Sequence, residues 1–417
     1  MIKGKTHASR FSSVIIGPFA IAIAIAGSII ANWSGFIALS VFLFSIFIVG
    51  LTARLWAFHA LRRVNVSISG HHMTLMVGDT AELIYMVENN KILPLSWLEL
   101  CLDAPANGCV TPDSGFTLFS CQDEDVDKEV IQTQFRKRIL FLMSFQSISW
   151  NTVWSARRRG VYEASKVSLR SGDGFGLTRS MQEITTDALI IVVWPKIVPV
   201  DTAPFFRNVW QGSAGKRGHV EDPTVLHGLR DYLPGDLWKR IDWRMAARTD
   251  ELMLKKYETV LPSTIHFVLD VASFIAISSD NSELEESISV LASIILELSA
   301  AGIKCGLSLP GGEGIPTVDI SPDDPTGDAR DLLNSLAALN AEKAIGGFDE
   351  GFIESLSQTV GQIWLVAYSG TRLSSPGLAE RVEPGIFFAL CHDTNDPGYL
   401  TGRPLLAVED VKKGGAA

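Results

Sequence analysis

Cysteine is scarce in this sequence, and no two cysteines have the spacing of a metal or redox site. The chain contains five cysteines in 417 residues, and none of them forms a Cys-x-x-Cys pair. The odd number argues against a disulfide framework, and the spacing argues against a cysteine-bound zinc ion. We therefore expect the soluble parts of the chain to work in a reducing compartment.

The sequence also lacks an excess of basic residues and the motifs of common catalytic sites. It contains 46 acidic and 36 basic residues, a formal net charge of -10, so no nucleic acid is expected as a partner. Neither Gly-x-Ser-x-Gly nor His-Glu-x-x-His occurs. His392 lies between Cys391 and Asp393, but adjacency in sequence is not the spatial arrangement that a nucleophile and a base require. We expect a protein that is not an enzyme and has no cofactor.

An N-terminal segment lacks charge altogether, since Phe11 to Ala53 includes no Asp, Glu, Lys, Arg or His. A single helix over this run would be about 65 Å long, roughly twice the hydrocarbon core of a bilayer. We therefore predict a transmembrane hairpin of two helices over residues 11–53, with its turn at Asn32 to Gly35. A cleavable signal peptide is the alternative, although a second apolar run follows the turn at once.

Basic residues flank this hairpin on both sides, and its turn carries no charge. These residues are Lys3, Lys5, Arg10, Arg54, Arg62 and Arg63. Cytoplasmic flanks of membrane helices carry an excess of Lys and Arg. The sequence therefore predicts a multi-pass protein of the plasma (inner) membrane whose soluble domains lie in the cytoplasm.

Two patterns divide the rest of the chain. Residues 64–200 alternate apolar and polar side chains in short runs such as "VNVSISG", which predicts a β-sandwich-like domain, with the polar segment 111–137 as a loop or insertion. Residues 260–410 alternate apolar strands such as "TIHFVLD" and "QIWLVAY" with amphipathic helices. This order predicts an α/β domain with a doubly wound, Rossmann-type parallel sheet. The result is a multidomain chain, and residues 204–258 connect its two soluble domains.

Asp270 is the candidate metal ligand, because it follows the first predicted strand of the α/β domain directly. Ligands of such sheets bind at the carboxyl ends of the strands. The position resembles the start of the Asp-x-Ser-x-Ser metal site of von Willebrand factor A-like domains, which binds magnesium. Here Ala272 and Phe274 replace both hydroxyl residues, so the site is degenerate. A structural aspartate that caps the next helix is the alternative.

The connector contains the most distinctive stretch of the chain, "GLRDYLPGDLWKRIDWRMAARTDELMLKKYE", Gly228 to Glu258. It combines seven Lys or Arg with six Asp or Glu, and most of them lie around Tyr232, Trp238 and Trp243. Such a balanced set is typical of an internal ion-pair network, in which planar Arg groups pair with carboxylates. We therefore predict either a clasp between the two soluble domains or a surface that binds a partner.

This stretch resembles the signature of the domain of unknown function 58 family. The matching residues are Arg230, Tyr232, Pro234, Gly235, Asp236, Arg240, Asp242, Trp243 and Arg248. Two upstream elements, "RRRGVY" and "SGDGFGL", also resemble that family, although Gly174 replaces its usual proline.

The resemblance implies a membrane anchor, a von Willebrand factor A-like C-terminal domain and a MoxR-type AAA+ ATPase as partner. We accordingly expect a membrane-anchored, non-enzymatic scaffold or adaptor that works with this ATPase in the assembly or maturation of other proteins. The alternative is a module that binds its ligand through a divalent cation, with magnesium at Asp270.

Overall fold

The chain divides into two compact units, Met1–Trp194 and Pro195–Ala417, in a computed structural model. The structure describes residues 8–12, 18–70, 72–105, 107–122, 131–174, 176, 178–203, 205, 221–233, 238–249, 251–259, 264–275, 281–312, 316–322, 324, 327–344, 346–348, 352, 356, 362–377 and 387–413.

Two apolar helices lie near the start of the first unit, α1 over Pro18–Trp33 and α2 over Ile37–Ala60. Gly35 lies in the turn between them with a φ of 81°, a conformation that glycine adopts without strain. Among the helices of the described residues, α2 alone is long and apolar enough to cross a membrane. Helix α2 therefore has the predicted length and hydropathy of a membrane span, whereas α1 is apolar but shorter.

The bounds of the helices differ from the predicted hairpin at both ends. Residues 11 and 12 belong instead to a strand, Ala8–Ser12, and α2 continues beyond Ala53. The last turns of α2 place Ala53, Ala57 and Ala60 in buried positions.

Hydrogen bonds show what the last turns of α2 contact. The hydroxyl groups of Thr178 and Ser180 donate to the carbonyl oxygens of Ala53, at 3.4 Å, and of Ala57, at 2.6 Å. The helix therefore extends past the apolar run because its small residues pack against the β part of the same unit.

The rest of the first unit is largely β-structure, as predicted. Its strands are β1 (Ala8–Ser12), β2 (Val64–Ile68), β3 (His72–Met76), β4 (Thr80–Asn89), β5 (Leu98–Asp103), β6 (Val110–Pro112), β7 (Thr117–Gln122), β8 (Ile131–Ile139), β9 (Ser147–Ala156), β10 (Gly160–Gly172) and β11 (Thr178–Trp194). One sheet has the order β1-β11-β10-β5-β8-β7, with β3 also paired to β11, and the other has the order β2-β4-β9-β6.

The two sheets share one hydrophobic core. Trp154 lies fully buried in it, stacked on Tyr162 at a ring distance of 5.6 Å and edge-on to Phe135 at 5.5 Å. The Tyr162 hydroxyl donates a hydrogen bond to the carbonyl oxygen of Asp103 at 3.0 Å. This core arises from the alternation of apolar and polar residues along the strands, which places every second side chain inside.

The prediction of a loop over residues 111–137 was wrong, because β7 and β8 occupy much of that segment as an antiparallel pair. Gln134 is buried in β8, and its side-chain amide donates to a carboxylate oxygen of Asp103 at 3.1 Å. A polar residue with a partner of this kind fits an inward position of a strand. The segment therefore looks like a loop by composition while its backbone pairs as a strand.

The second unit contains a two-stranded pair and a larger sheet. Its strands are β12 (Glu221–Asp231), β13 (Met253–Thr259), β14 (Thr264–Leu269), β15 (Lys304–Leu309), β16 (Val318–Ile320), β17 (Gln362–Ala367), β18 (Phe387–Cys391) and β19 (Leu405–Ala407). Its helices are α3 (Trp243–Thr249), α4 (Ala272–Ile275), α5 (Ser282–Ala300), α6 (Ala329–Ala338) and α7 (Val408–Lys413).

The larger sheet has the order β16-β15-β14-β17-β18-β19. Neighbouring strands pair in parallel except at β16, which is antiparallel to β15, so the sheet is mixed rather than purely parallel as predicted. The strand β14 is buried along its whole length and lies between β15 and β17, and helix α5, which has a buried face, contacts β15. This arrangement places the end of β14, and hence Asp270, in the middle of one sheet edge.

Candidate functional site

The signature segment is built on the antiparallel pair β12 and β13. Between the two strands lie a short 3-10 turn, Trp238–Arg240, and helix α3. Ile241 forms a bridge to Leu254, and both side chains are buried. The contact between these two apolar residues holds the segment that connects β12 and β13 against β13.

Asp242 fixes the start of α3. Its carboxylate accepts hydrogen bonds from the backbone N–H groups of Arg244 at 3.1 Å and Met245 at 3.2 Å, while its own N–H donates to the Met253 carbonyl oxygen at 2.8 Å. This is the geometry of an aspartate N-cap, which satisfies otherwise unpaired amide groups at a helix start. The Asp242 side chain therefore supports the backbone of the segment.

Large apolar side chains of this segment lie at the surface. Trp238 is 64% exposed, Leu233 62% and Trp243 59%. The ring of Tyr232 lies 5.8 Å from that of Trp238. The arginines at positions 230, 244 and 248 of the same segment are exposed as well. We call this set, Arg230, Tyr232, Leu233, Trp238, Trp243, Arg244 and Arg248, the signature surface.

The exposure of the signature residues is more typical of a partner-binding surface than of a clasp between domains. Arg230, Trp243 and Arg248 are exposed, and ion pairs at exposed positions contribute little to stability. Exposed tryptophan and arginine are the residue types enriched at the energetic centres of protein interfaces. Pro234, Gly235 and Asp236 lie outside the described residues, as does the side chain of Arg240.

Asp270 is engaged by backbone groups. One carboxylate oxygen accepts the N–H of Ser374 at 2.7 Å, and the other accepts the N–H of Ser273 at 3.4 Å. The Ser273 hydroxyl donates to the Asp270 carbonyl oxygen at 2.7 Å and accepts from the N–H of Tyr368 at 2.9 Å. Burial raises the pKa of Asp270, and the hydrogen bonds that its carboxylate accepts from Ser374 and Ser273 oppose this shift. The carboxylate thus joins the end of β14 to the loop after β17.

The residues around Asp270 fit this structural role better than a cation site. Ser273, the nearest hydroxyl residue in sequence, already makes two hydrogen bonds within the protein. Within the described ranges, no group of three or more His, Cys, Asp or Glu side chains has the arrangement of a metal site. The backbone N–H groups of Ser374 and Ser273 already occupy one acceptor position on each oxygen of the Asp270 carboxylate.

A second buried polar group, His266 on β14, forms a chain with Ser308 and Asp319. His266 Nε2 lies 2.6 Å from the Ser308 hydroxyl, which donates to a carboxylate oxygen of Asp319 at 2.7 Å. In a catalytic triad the carboxylate binds the imidazole nitrogen opposite the serine. Here the carboxylate meets the serine itself, and Ser308 is fully buried. The chain of side chains therefore joins β14, β15 and β16 and lacks the triad geometry.

Burial lowers the pKa of His266 to about 4, against an opposing attraction from Asp319. The folded state therefore holds His266 neutral at pH values where the unfolded state, with an ordinary pKa of about 6.5, binds a proton. We expect the second unit to lose up to about 3 kcal/mol of stability as the pH falls from about 6.5 towards 4.

Thermal melting at pH values of about 7 and about 4.5, on either side of the ordinary histidine pKa, measures this effect. The control is His266→Gln, because glutamine does not titrate. The stability lost on acidification should be smaller in His266→Gln than in the wild type by the amount that His266 contributes. Equal losses in both proteins would show that another group causes the acid sensitivity.

The upstream family-like elements lie in the first unit and have local structural roles. Gly160 has a φ of 154°, and a side-chain atom at this position would collide with the Asn107 side chain. Asp173 is buried, and its carboxylate accepts the N–H of Thr178 at 2.9 Å. Residues 175 and 177 lie outside the described residues. Gly160 and Asp173 therefore shape turns of the β part, whereas Tyr162 of the first element lies in its core.

Comparison with known proteins gives a family match over part of the chain. A family model described as "Protein of unknown function DUF58" matches residues 228–343, which include the signature segment and Asp270. The "Uncharacterized protein YeaD" of Bacillus subtilis (strain 168) is 28% identical over 178 residues. That match covers 42% of this chain and 43% of the relative, so the chain spans less than half of the relative's length.

Among solved structures, similar chains include a non-cellulosomal cohesin of the archaeon Archaeoglobus fulgidus, with 13% identity and a TM-score of 0.19. A CARDB domain from Pyrococcus furiosus has 10% identity and a TM-score of 0.18. Each match covers 31% of this chain and 91% of the solved chain. Likenesses at this level carry no argument about function.

Proposed function

We propose that this protein is a membrane-anchored, non-enzymatic scaffold that binds a protein partner through the signature surface. The exposure of Trp238 and Trp243, together with exposed arginines in the same segment, is the observation that carries the proposal. Aromatic and arginine side chains dominate the binding energy of protein interfaces, whereas an exposed tryptophan contributes little to a fold.

The anchor is the apolar N-terminal segment, in which α1 and α2 form a two-pass hairpin. Helix α2 meets the length and hydropathy of a membrane span, and α1 is apolar along its length. Basic residues on both flanks of the hairpin support a cytoplasmic position for the soluble parts of the chain.

The partner that we propose is a MoxR-type AAA+ ATPase, with which the scaffold assists the assembly or maturation of other proteins. This choice follows from what the resemblance of the signature implies; the family model that matches residues 228–343 is itself described only as a protein of unknown function. We also infer a von Willebrand factor A-like fold for the larger sheet of the second unit. The central position of β14 and its parallel pairing with β15 and β17 support that inference.

Affinity purification from solubilised membranes tests the proposal. The full chain carries an affinity tag, and Trp238→Ser with Trp243→Ser is compared with the wild type and with Tyr399→Ser, another exposed aromatic of the same unit. We expect an AAA+ ATPase to copurify with the wild type and with the control, and to be absent from the purified double variant. Recovery of the same proteins from all three would contradict the proposed role of the signature surface.

A divalent-cation-dependent ligand-binding module is the second candidate function. The position of Asp270 directly after the central strand β14 is the observation that favours it. The hydrogen bonds that its carboxylate accepts from the N–H groups of Ser374 and Ser273 oppose it.

A further inference from the structure

Two neighbouring loops in the β part of the first unit expose large apolar side chains. The loops are residues 90–97, before β5, and residues 140–146, before β9. Between 51% and 79% of each of these side chains is exposed. They are Ile92, Leu140, Phe141, Met143 and Phe145. Soluble surfaces rarely gather so many large apolar groups, and such a patch marks a site of interaction.

Hydrogen bonds within the protein hold these loops in place. The backbone groups of Leu95 and Leu142 bond to each other in both directions, at 2.8 and 3.0 Å. Asn89 is fully buried, and its side-chain amide donates to the carbonyl oxygens of Leu93 at 3.1 Å and Met143 at 2.8 Å. The fold therefore presents the apolar side chains outward from a fixed backbone.

The loops adjoin the C-terminal end of α2. The Lys91 ammonium group donates a hydrogen bond to the carbonyl oxygen of Ala60, the last residue of the helix. Phe141 lines a cavity of about 230 Å³ together with Thr52 and Trp56 of the helix. The exposed apolar side chains thus lie beside the turns of α2 that contain Thr52 and Trp56.

Arg54 marks where these turns lie in a bilayer that α2 crosses. It is exposed and is the first charged residue after the apolar run. The preceding helical residues, 37–53, are about 26 Å long, close to the hydrocarbon thickness of about 30 Å. Arginine at the end of a membrane helix lies at the headgroup level. The two loops therefore lie at the membrane interface.

A basic groove lies next to the loops. It has a volume of about 530 Å³, and the residues that line it include Trp56, His59, Arg62, Arg63, Lys91 and Leu93. No Asp or Glu of the described ranges forms an ion pair with these basic side chains. Burial lowers the pKa of Lys91 to about 8, so this side chain remains largely protonated at neutral pH. The neighbouring 230 Å³ cavity contains Asp173 and is unsuited to an anion.

We propose that the two loops and the basic groove form a lipid-binding surface. The apolar side chains insert into the bilayer interface, and the groove binds the phosphate of an anionic phospholipid headgroup. Basic pockets beside membrane helices on the cytoplasmic side bind such headgroups. The proposal rests on the proposed membrane anchor, and it fixes the β part against the bilayer surface.

Depth measurement in vesicles tests the insertion. The full chain is reconstituted in phosphatidylcholine and phosphatidylglycerol with a fluorescent amino acid at position 143, and nitroxide-labelled lipid is the quencher. Position 161 is the control, because Val161 is exposed and lies beyond the far end of β9, a strand about 30 Å long. Position 44 reports on α2 itself.

We expect quenching at positions 143 and 44 and none at 161. Quenching at 44 alone would overturn the insertion and leave the membrane anchor standing. Absence of quenching at 44 would overturn both. If position 143 is shielded from a water-soluble quencher in native membranes but not in vesicles, the lipid assignment is overturned in favour of a protein partner.

The headgroup site is tested by Arg62→Gln with Arg63→Gln. Each basic residue near an anionic surface contributes about fivefold to lipid affinity, so we expect the double variant to lose about thirtyfold of its preference for phosphatidylglycerol over phosphatidylcholine. The matched control is Arg157→Gln with Arg158→Gln, an exposed pair beyond the far end of β9. An unchanged preference in the first variant, or an equal loss in the control, would contradict the site.

Discussion

Replacing Trp243 with serine is expected to weaken binding of the proposed ATPase partner by about thirtyfold or more. Trp243 is 59% exposed, so its large apolar surface is available to a partner. Truncation of a central aromatic residue in an interface costs about 2 kcal/mol or more of binding free energy. The measurement is a titration of the purified full chain, in detergent or nanodiscs, with the ATPase.

Thermal melting of the same samples separates binding from folding. Trp243→Ser should melt close to the wild type, because the side chain is largely exposed in the folded chain. Tyr399→Ser is the matched control, since Tyr399 is 52% exposed in the same unit, and it should bind as the wild type does. Unchanged binding of Trp243→Ser together with a marked loss of melting temperature would support the clasp instead.

Asp270→Ala is expected to destabilise the second unit by about 2–3 kcal/mol. The substitution removes the acceptor of the Ser374 N–H, at 2.7 Å, and of the Ser273 N–H, at 3.4 Å. Asp270 is buried, so water does not readily replace the lost acceptor. Asp270→Asn should cost less, because it keeps one acceptor oxygen and removes a charge whose burial is unfavourable.

Magnesium titration of these proteins decides between the structural role and the cation site. A cation that binds only the folded state raises its melting temperature. If Asp270 is structural, millimolar magnesium leaves the melting temperatures of the wild type and Asp270→Asn equally unaffected. A rise in the wild type that is absent in Asp270→Asn would support the cation-dependent module.

The strands and helices of the second unit were the most predictable part of the fold. The apolar run "TIHFVL" forms β14, and the apolar residues at helical spacing from Leu284 onward form α5. A strand buried on both faces gives a continuous apolar run, whereas a helix buried on one face gives apolar residues at helical spacing, so the two patterns can be told apart. The short strand β16 was missed, since Val318–Ile320 is too short to show a period. Its antiparallel pairing is what makes the sheet mixed.

Sequence reasoning was weaker where tertiary contacts decide the outcome. The position at which α2 ends depends on the packing of Ala57 and Ala60, which are buried. The hydropathy of the sequence does not show that these small residues are packed. The strand β8 could not be predicted from its polar composition, because the hydrogen-bond partner of the buried Gln134 side chain is Asp103, which is distant in sequence. The exposure of Trp243 was equally hidden, since an apolar residue gives the same signal in a core and at an interface.

Photo-cross-linking in intact cells tests the scaffold account most directly. A photoreactive amino acid replaces Trp243 in the full chain, and position 399 is the matched exposed control. The account predicts a cross-link from position 243 to an AAA+ ATPase and none from position 399. Cross-links from position 243 that stay within the same chain, with no ATPase adduct, would contradict it.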